Sequence, residues 1–276
     1  PMERSLIENP EGHFLMFATA NGRIKKSKLS EYARINRNGK FALKFADGDS
    51  DNLVSVRPAT NADHVVLVSA SGNACRFMPA QEKTRISPET GESVTTYVVR
   101  VQGRISQGVS GMKLSGNDKV IGMIVTDDFD TSVLTISKYG MAKRSRLGSG
   151  EMLPLTEGGT PIVDESGDQV FERDGYRKTN RGTKGVRTMS LRDGDEIVGV
   201  RQIPDLDDQL FMLTGSGMMI RMVSGQTKET LGKVTKGTRI MELRNRDRTG
   251  YEDEIVFVAR LPSELISTGE TLEEEE

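Results

Sequence analysis

The sequence predicts an all-β protein, a radial, propeller-like array of small four-stranded sheets copied four times in series. Three observations carry this. Glycine is abundant, 29 of 276 residues, while aromatic residues make up 5% and tryptophan is absent, a composition suited to many tight turns between short strands. A hairpin signature of apolar strand, turn glycine and basic strand occurs four times. A second half follows each hairpin and also repeats, and self-similarity of this kind marks arrays of stacked units.

The first copy spans 14–57. The apolar run Phe14-Leu15-Met16-Phe17-Ala18-Thr19 predicts a strand, and Asn21-Gly22 a tight hairpin turn, because that dipeptide tolerates positive φ. A basic strand follows at Arg23-Ile24-Lys25-Lys26. A polar connection with Arg34, Arg37 and Lys40 then leads past Gly39 into a third strand, Phe41-Ala42-Leu43-Lys44-Phe45. The acidic turn Asp47-Gly48-Asp49 precedes a closing strand, Leu53-Val54-Ser55-Val56-Arg57.

The hairpin returns around Ser71-Gly72, Tyr139-Gly140 and Ser216-Gly217. The third-strand motif returns as Gly108-Val109-Ser110-Gly111-Met112-Lys113, Gly185-Val186-Arg187-Thr188-Met189-Ser190 and Gly237-Thr238-Arg239-Ile240-Met241-Glu242. The closing strand returns at Val120, Ile197 and Ile255, each behind an acidic turn. The strand runs are continuously apolar rather than alternating, as expected for sheets covered on both faces.

The expected organisation is a polar lead-in at 1–12, an array at 13–261 and an acidic, disordered tail at 262–276. The units fall at about 13–60, 61–127, 128–204 and 205–261. Insertions at 78–97 and 148–175 break the periodicity and read as poorly ordered surface loops. Pro1 at the start is expected for a piece of a longer protein.

Composition limits the chemistry. A single cysteine, Cys75, excludes an internal disulfide framework and a multi-cysteine zinc site, and it fits a reducing compartment. No apolar run approaches the roughly 20 residues that span a bilayer. His13 and His64 are isolated and read as surface or loop histidines. Cys75 reads as a buried strand residue with no histidine partner for nucleophilic use. Acids that recur at turns read as turn chemistry. The spacing from Gly103 to Gly108 is that of a phosphate loop, but Val109 stands where a lysine is needed. No catalytic or metal-binding residue is predicted.

Net charge is −2. Six carboxylates follow Arg260, so residues 1–260 carry about +4, and any case for nucleic acid rests on where the charges fall. They fall at matched positions. On the second strand lie Lys25, Lys26, Arg76, Lys143, Arg144 and Arg221. On the connection that follows lie Arg34, Arg37 and Lys40, then Arg100 and Arg104, then Arg177, Lys178, Arg181, Lys184 and Arg187, then Lys228, Lys233, Lys236 and Arg239. In a radial array equivalent positions share one rim, so these cations are expected to form a belt that neutralises the phosphates of a bent duplex. The competing reading is that charged edges merely block aggregation.

Residues 14–32, 100–109 and 193–200 resemble blades of the C-terminal domain family of bacterial DNA gyrase A, and the likeness covers about 14–260. It implies a β-pinwheel, a propeller-like wheel with a different strand connection between blades. It also implies a non-catalytic domain that wraps double-stranded DNA around a positive rim and directs strand passage toward negative supercoiling. Further implications are a cytoplasmic A2B2 holoenzyme with the rest of gyrase A and gyrase B, no membrane association and a monomeric isolated domain. No cofactor is implied here, since ATP, Mg and the cleaving tyrosine belong to parts outside this chain. The family has about six blades, and these four copies look most like the last four. Its basic motif, QRRGGRG-like, is matched in part by 179–185, which keeps Arg181, Gly182, Lys184 and Gly185, and more weakly by 34–40. Two alternatives stay open at this stage: the equivalent domain of topoisomerase IV, and a propeller-like protein-interaction module whose mark is an apolar patch rather than a basic rim.

Overall fold

A computed structural model describes residues 4–35, 37–45, 50–86, 91, 93–230, 235–243 and 253–266. After a five-residue helix, Arg4–Glu8, the described chain is almost entirely β. The first repeat supplies β1 (Phe14–Thr19), β2 (Arg23–Lys28) and β3 (Leu53–Ala59). The second supplies β4 (His64–Ser69), β5 (Asn73–Phe77), β6 (Glu82–Ile86), β7 (Ser93–Tyr97), β8 (Val109–Ser110) and β9 (Val120–Thr126). The third supplies β10 (Ser132–Ser137), β11 (Met141–Arg146), β12 (Met152–Pro154), β13 (Thr156–Glu157), β14 (Thr160–Pro161), β15 (Phe171–Arg173), β16 (Val186–Arg187) and β17 (Ile197–Ile203). The fourth supplies β18 (Gln209–Thr214), β19 (Met219–Val223), β20 (Thr238–Arg239) and β21 (Ile255–Leu261).

The chain divides into two compact units. The first comprises 1–127 and 179–186. Its sheets have the strand orders β3-β1-β2-β8 and β16-β5-β4-β9. Every residue of β4 is buried, as is β1 beyond its first residue, so both faces of these strands are covered, which is why they read as unbroken apolar runs. Met16, Ile24, Leu67, Cys75, Phe77, Val99, Met112 and Met123 form one core shared by the two sheets.

The second unit comprises 128–178 and 187–276. It holds a four-stranded sheet, β17-β10-β11-β20, and a three-stranded one, β19-β18-β21. Leu134, Ile136, Leu210, Met212, Met241 and Val258 are packed together in its core.

The connectivity corrects one expectation. A repeat does not fold into its own sheet. The short strand after each connection joins the sheet before it: β8 pairs with β2 (Arg23↔Ser110, Ile24↔Val109), and β20 with β11 (Met141↔Arg239, Ala142↔Thr238). Each such strand opens on a glycine at positive φ, Gly108, Gly185 or Gly237. A side chain there would collide with the carbonyl oxygen of Ile24, Ala74 or Ala142 respectively, so only glycine lets the incoming strand seat this closely. In the first repeat, 41–45, expected as a third strand, forms none.

The insertions, expected as surface loops, contain paired strands. Residues 82–97 contain the β6–β7 hairpin, and within 148–175 lie the pairs β12–β15 and β13–β14. The run Ser93-Val94-Thr95-Thr96-Tyr97 has the β-branched composition that favours a strand. The tail beyond residue 266 and the Asp47-Gly48-Asp49 turn lie outside the described residues.

The recurring turn acids have one shared task. Asp51 Oδ1 accepts from the amides of Asn21 and Asn52, both at 2.8 Å. Asp118 Oδ1 accepts from Ser71 and Lys119, both at 2.9 Å. Asp195 Oδ1 accepts from Tyr139 and Glu196 at 3.1 and 3.0 Å, and Asp253 Oδ1 from Ser216 and Glu254 at 3.1 and 2.9 Å. Each carboxylate thus ties the start of the closing strand to the hairpin turn of its own repeat. The Ser216 hydroxyl bond, first among several, holds the Asp253 carboxyl down at about 2.

Candidate nucleic-acid interface

The basic residues of the repeats fall into two classes, and the structure separates them by burial. Lys25, Lys26, Arg76, Lys143 and Arg144, expected on the rim, are instead buried, with Lys25 at 0% and Arg76 at 1% exposure. The register explains this. Lys25 faces Phe17 and Lys26 faces Met16 across β1–β2, and Arg144 faces Leu134 across β10–β11. Neighbouring strand residues point to opposite faces, and these sheets are covered on both, so neither of two consecutive cations reaches solvent.

Their heads hold backbone or neighbouring side chains. Lys25 Nζ donates to Ala42 O at 2.6 Å and to Arg104 O. Lys143 Nζ donates to Thr188 O at 2.6 Å. Arg144 Nε donates to Thr227 O at 2.9 Å and pairs through Nη1 with Glu229 at 2.8 Å. Lys26 Nζ donates to Asn61 Oδ1 at 2.7 Å and lies 4.0 Å from the Phe14 ring centre. Arg76 Nε donates to His64 Nδ1 at 3.2 Å, so His64, expected at the surface, is a buried strand residue that accepts from an arginine. Burial lowers the Lys25 and Lys143 pKa values to about 8 and also depresses Lys26, since a charged ammonium loses hydration there. Lys25, Lys26, Lys143 and Arg144 thus fasten connecting segments, and Arg76 ties β5 to β4.

The second class sits on those loops. In the first unit Arg34, Arg37, Arg100 and Lys184 are exposed, and Lys40, Arg104 and Arg181 half-buried. Arg181 Nε donates to Val98 O at 2.8 Å and its Nη1 to Ser110 O, which locks the arginine as a staple across the loop. The rest of 179–185 is fixed by backbone. Thr179 N donates to Arg76 O at 2.6 Å, Gly182 N to Gly111 O at 2.8 Å, and Lys113 N to Thr183 O at 2.9 Å. That last bond sets the exposed Lys113 beside Lys184. Lys113 was missed from sequence, although its match to Lys44 at the end of the same motif was a usable signal.

In the second unit Arg177, Lys178, Arg187, Arg221, Lys228, Lys236 and Arg239 are exposed. Lys178 pairs with Glu151 and Arg239 with Glu242, each at 2.6 Å. Arg221 donates to Gln209 Oε1 and lies over the Phe211 ring. Lys233 lies outside the described residues. Among the described residues, Arg34, Arg37, Arg100, Lys184, Arg187, Lys228 and Lys236 form no ion pair. With the exposed Arg177 and Lys113, which also form none, they are among the cations available to an external anion.

A family described as "DNA gyrase C-terminal domain, beta-propeller" matches residues 13–60, 93–127, 170–204 and 208–249. The chain belongs to this family. The gaps between matched segments coincide with much of the two insertions. The chain is 30% identical to the DNA gyrase A protein of Rickettsia typhi over 94% of its length, and 30% identical to that of Staphylococcus epidermidis over 84%. It spans 28% and 21% of those relatives, about a quarter of their length. The solved C-terminal domain of DNA topoisomerase IV superposes with a TM-score of 0.67 at 17% identity, covering 96% of this chain and 67% of that one. That of DNA gyrase A gives 0.62 at 20%, covering 91% and 67%. Both likenesses are of fold, and they bear out the β-pinwheel expected from sequence. Among the described residues no helix is long and apolar enough to cross a membrane.

Proposed function

We propose that this chain is a non-catalytic DNA-wrapping domain of a gyrase A protein, which holds duplex DNA through the exposed cations of its connecting loops. The observation that carries the reading is the anchored loop 179–185. Backbone bonds and the half-buried Arg181 side chain fix its path, and Lys184 and Lys113 stand exposed along it. A preformed loop presents its charge to phosphates with little further ordering, and each phosphate contact releases condensed counterions. Bending the duplex over successive loops then directs strand passage toward negative supercoiling. Cleavage and ATP hydrolysis fall to other parts of a cytoplasmic A2B2 assembly, and this domain takes no cofactor. The gyrase names of the relatives favour this reading over the topoisomerase IV counterpart.

Two measurements test it. Duplex affinity should fall steeply as salt rises, and an affinity indifferent to salt would overturn the phosphate-contact mechanism. Ligation of a nicked circle in the presence of the chain should shift its linking number. Salt-sensitive binding with no shift would leave binding intact and remove wrapping.

A further inference from the structure

On the loop of the first unit that carries Arg100 and Arg104, an apolar side chain stands out of reach of the core. The loop turns a corner at 103–106, closed by Ser106 N donating to Gly103 O at 3.2 Å, and Ile105 sits on that corner 66% exposed. Corners of this kind favour glycine, asparagine, aspartate or serine. In the matched loop, aligning Gly108 with Gly185 puts Gly182 at the position of Ile105. We propose that Ile105 is an apolar wedge, which enters the base stack of the bound duplex at a flexible pyrimidine–purine step and kinks it there. This deepens the duplex-binding reading above and rests on it.

The corner is braced from beneath. The buried Lys25 donates through Nζ to Arg104 O. Gln102 N donates to Lys26 O at 2.8 Å, and Ser27 Oγ donates to Gln102 O at 2.8 Å. Ser106 Oγ donates to Gly103 O at 3.0 Å. On the far side Arg23 Nε donates to Gln107 O at 2.9 Å and Arg23 Nη2 to Gly108 O at 3.0 Å. The side chain itself is stiff, because β-branching restricts χ1. A wedge has to keep its shape while the stack opens, and both the loop and the side chain meet that requirement.

Cations flank the tip. Arg104 precedes Ile105, Arg100 is exposed earlier on the same loop, and Lys44, also exposed, donates its amide to Ser106 O at 3.5 Å. Arg104 Nη1 donates to Phe41 O at 3.4 Å, which keeps that guanidinium beside the corner. A lone exposed isoleucine is ordinary on a protein surface, but one on a fixed corner among cations meets the duplex wherever those cations meet its phosphates. A protein partner calls instead for a contiguous apolar patch, and Gly103, Arg104, Ser106 and Gln107 on either side offer none. Proteins that kink DNA insert isoleucine, leucine, phenylalanine or methionine between base steps, and TA and CA/TG steps are the most easily unstacked. A kink at one such step lowers the elastic cost of leading the duplex onto successive loops.

A short duplex whose only pyrimidine–purine step is a central TA tests the wedge. The fluorescent analogue aminopurine replaces the adenine of that step, and dyes at the two ends report the bend. The unmodified chain should raise the aminopurine fluorescence, as the base loses its stacking partner, and bend the duplex. Ile105→Ser should abolish the rise and remove about 20° of bend or more, with the unfolding midpoint and the salt slope of binding unchanged. Ile105→Met, which keeps an apolar tip, should restore both signals. A rise and a bend that Ile105→Ser leaves intact overturn the wedge while duplex binding stands. A bend lost together with the salt slope overturns it too, since Ile105 then only positions the cations. An unmodified chain that binds no duplex removes the underlying reading, and the wedge with it.

Discussion

Replacing Lys25 with methionine should flatten the alkaline rise in stability. Lys25 is buried at 0% exposure, and burial lowers its pKa from 10.5 to about 8. Below pH 8 both folded and unfolded chains hold the proton, so the cost of burying the charge is carried in full. Between 8 and 10.5 the folded chain has shed a proton that the unfolded chain keeps, and stability rises with pH wherever the unfolded state binds more protons. From pH 8 to 10 the gain from this one group is about 2 kcal/mol. Lys143 behaves alike and is untouched by the substitution, so the difference between the two proteins isolates Lys25. Tyr176, pushed up to about 12 by burial, opposes the trend once the unfolded tyrosine ionises, so the series stops at pH 10. Lys25→Met leaves Ala42 O and Arg104 O without this donor, at a cost of roughly 1–3 kcal/mol each, offset by removal of the buried charge. Urea unfolding at pH 8, 9 and 10 should therefore show the unmodified chain gaining about 2 kcal/mol more than the variant. Parallel curves would refute the reasoning, since they would mean the ammonium stays charged in the fold.

Other perturbations separate fold from interface. Gly185→Val should destabilise by about 3 kcal/mol or more, because it combines a positive φ with a clash against Ala74 O; thermal unfolding reads it, and an unchanged midpoint contradicts the seating argument. Asp118→Ala removes the acceptor for two amides and the Ser71 hydroxyl, so a loss of about 1–2 kcal/mol is expected in urea. Lys184→Ala should leave the unfolding midpoint in place and reduce the salt slope of duplex binding by about 1. A shifted midpoint with an unchanged slope would make Lys184 structural.

The hairpins were legible because their signal is local: an apolar run, a turn glycine and a second strand within a few residues of Gly22, Gly72, Gly140 and Gly217. The destination of the third strand was not, since nothing in Gly108-Val109-Ser110 names the sheet edge it joins. The glycine itself was the clue, as a residue kept where backbones meet. The buried cations were misread because lysine and arginine are seldom interior unless paired. Yet Lys25 and Lys26 are consecutive in a strand whose neighbours are apolar on both faces, and the expectation of sheets covered on both faces already required that at least one of them lie inside. The exposed loop positions of Arg34, Arg37, Arg100 and Lys184 were legible from charge placement alone, because loops carry no burial pattern to mislead. Lys113 was lost by treating its motif as strand only.

The central claim is that loop cations hold DNA while strand cations hold the loops. A salt series of duplex affinity for a chain with Arg37, Arg100, Lys184, Lys228 and Lys236 all changed to glutamine tests it most directly. The account predicts a folded protein whose slope of log affinity against log salt is smaller by about 4. An unchanged slope in a folded protein would place the phosphates elsewhere and contradict it.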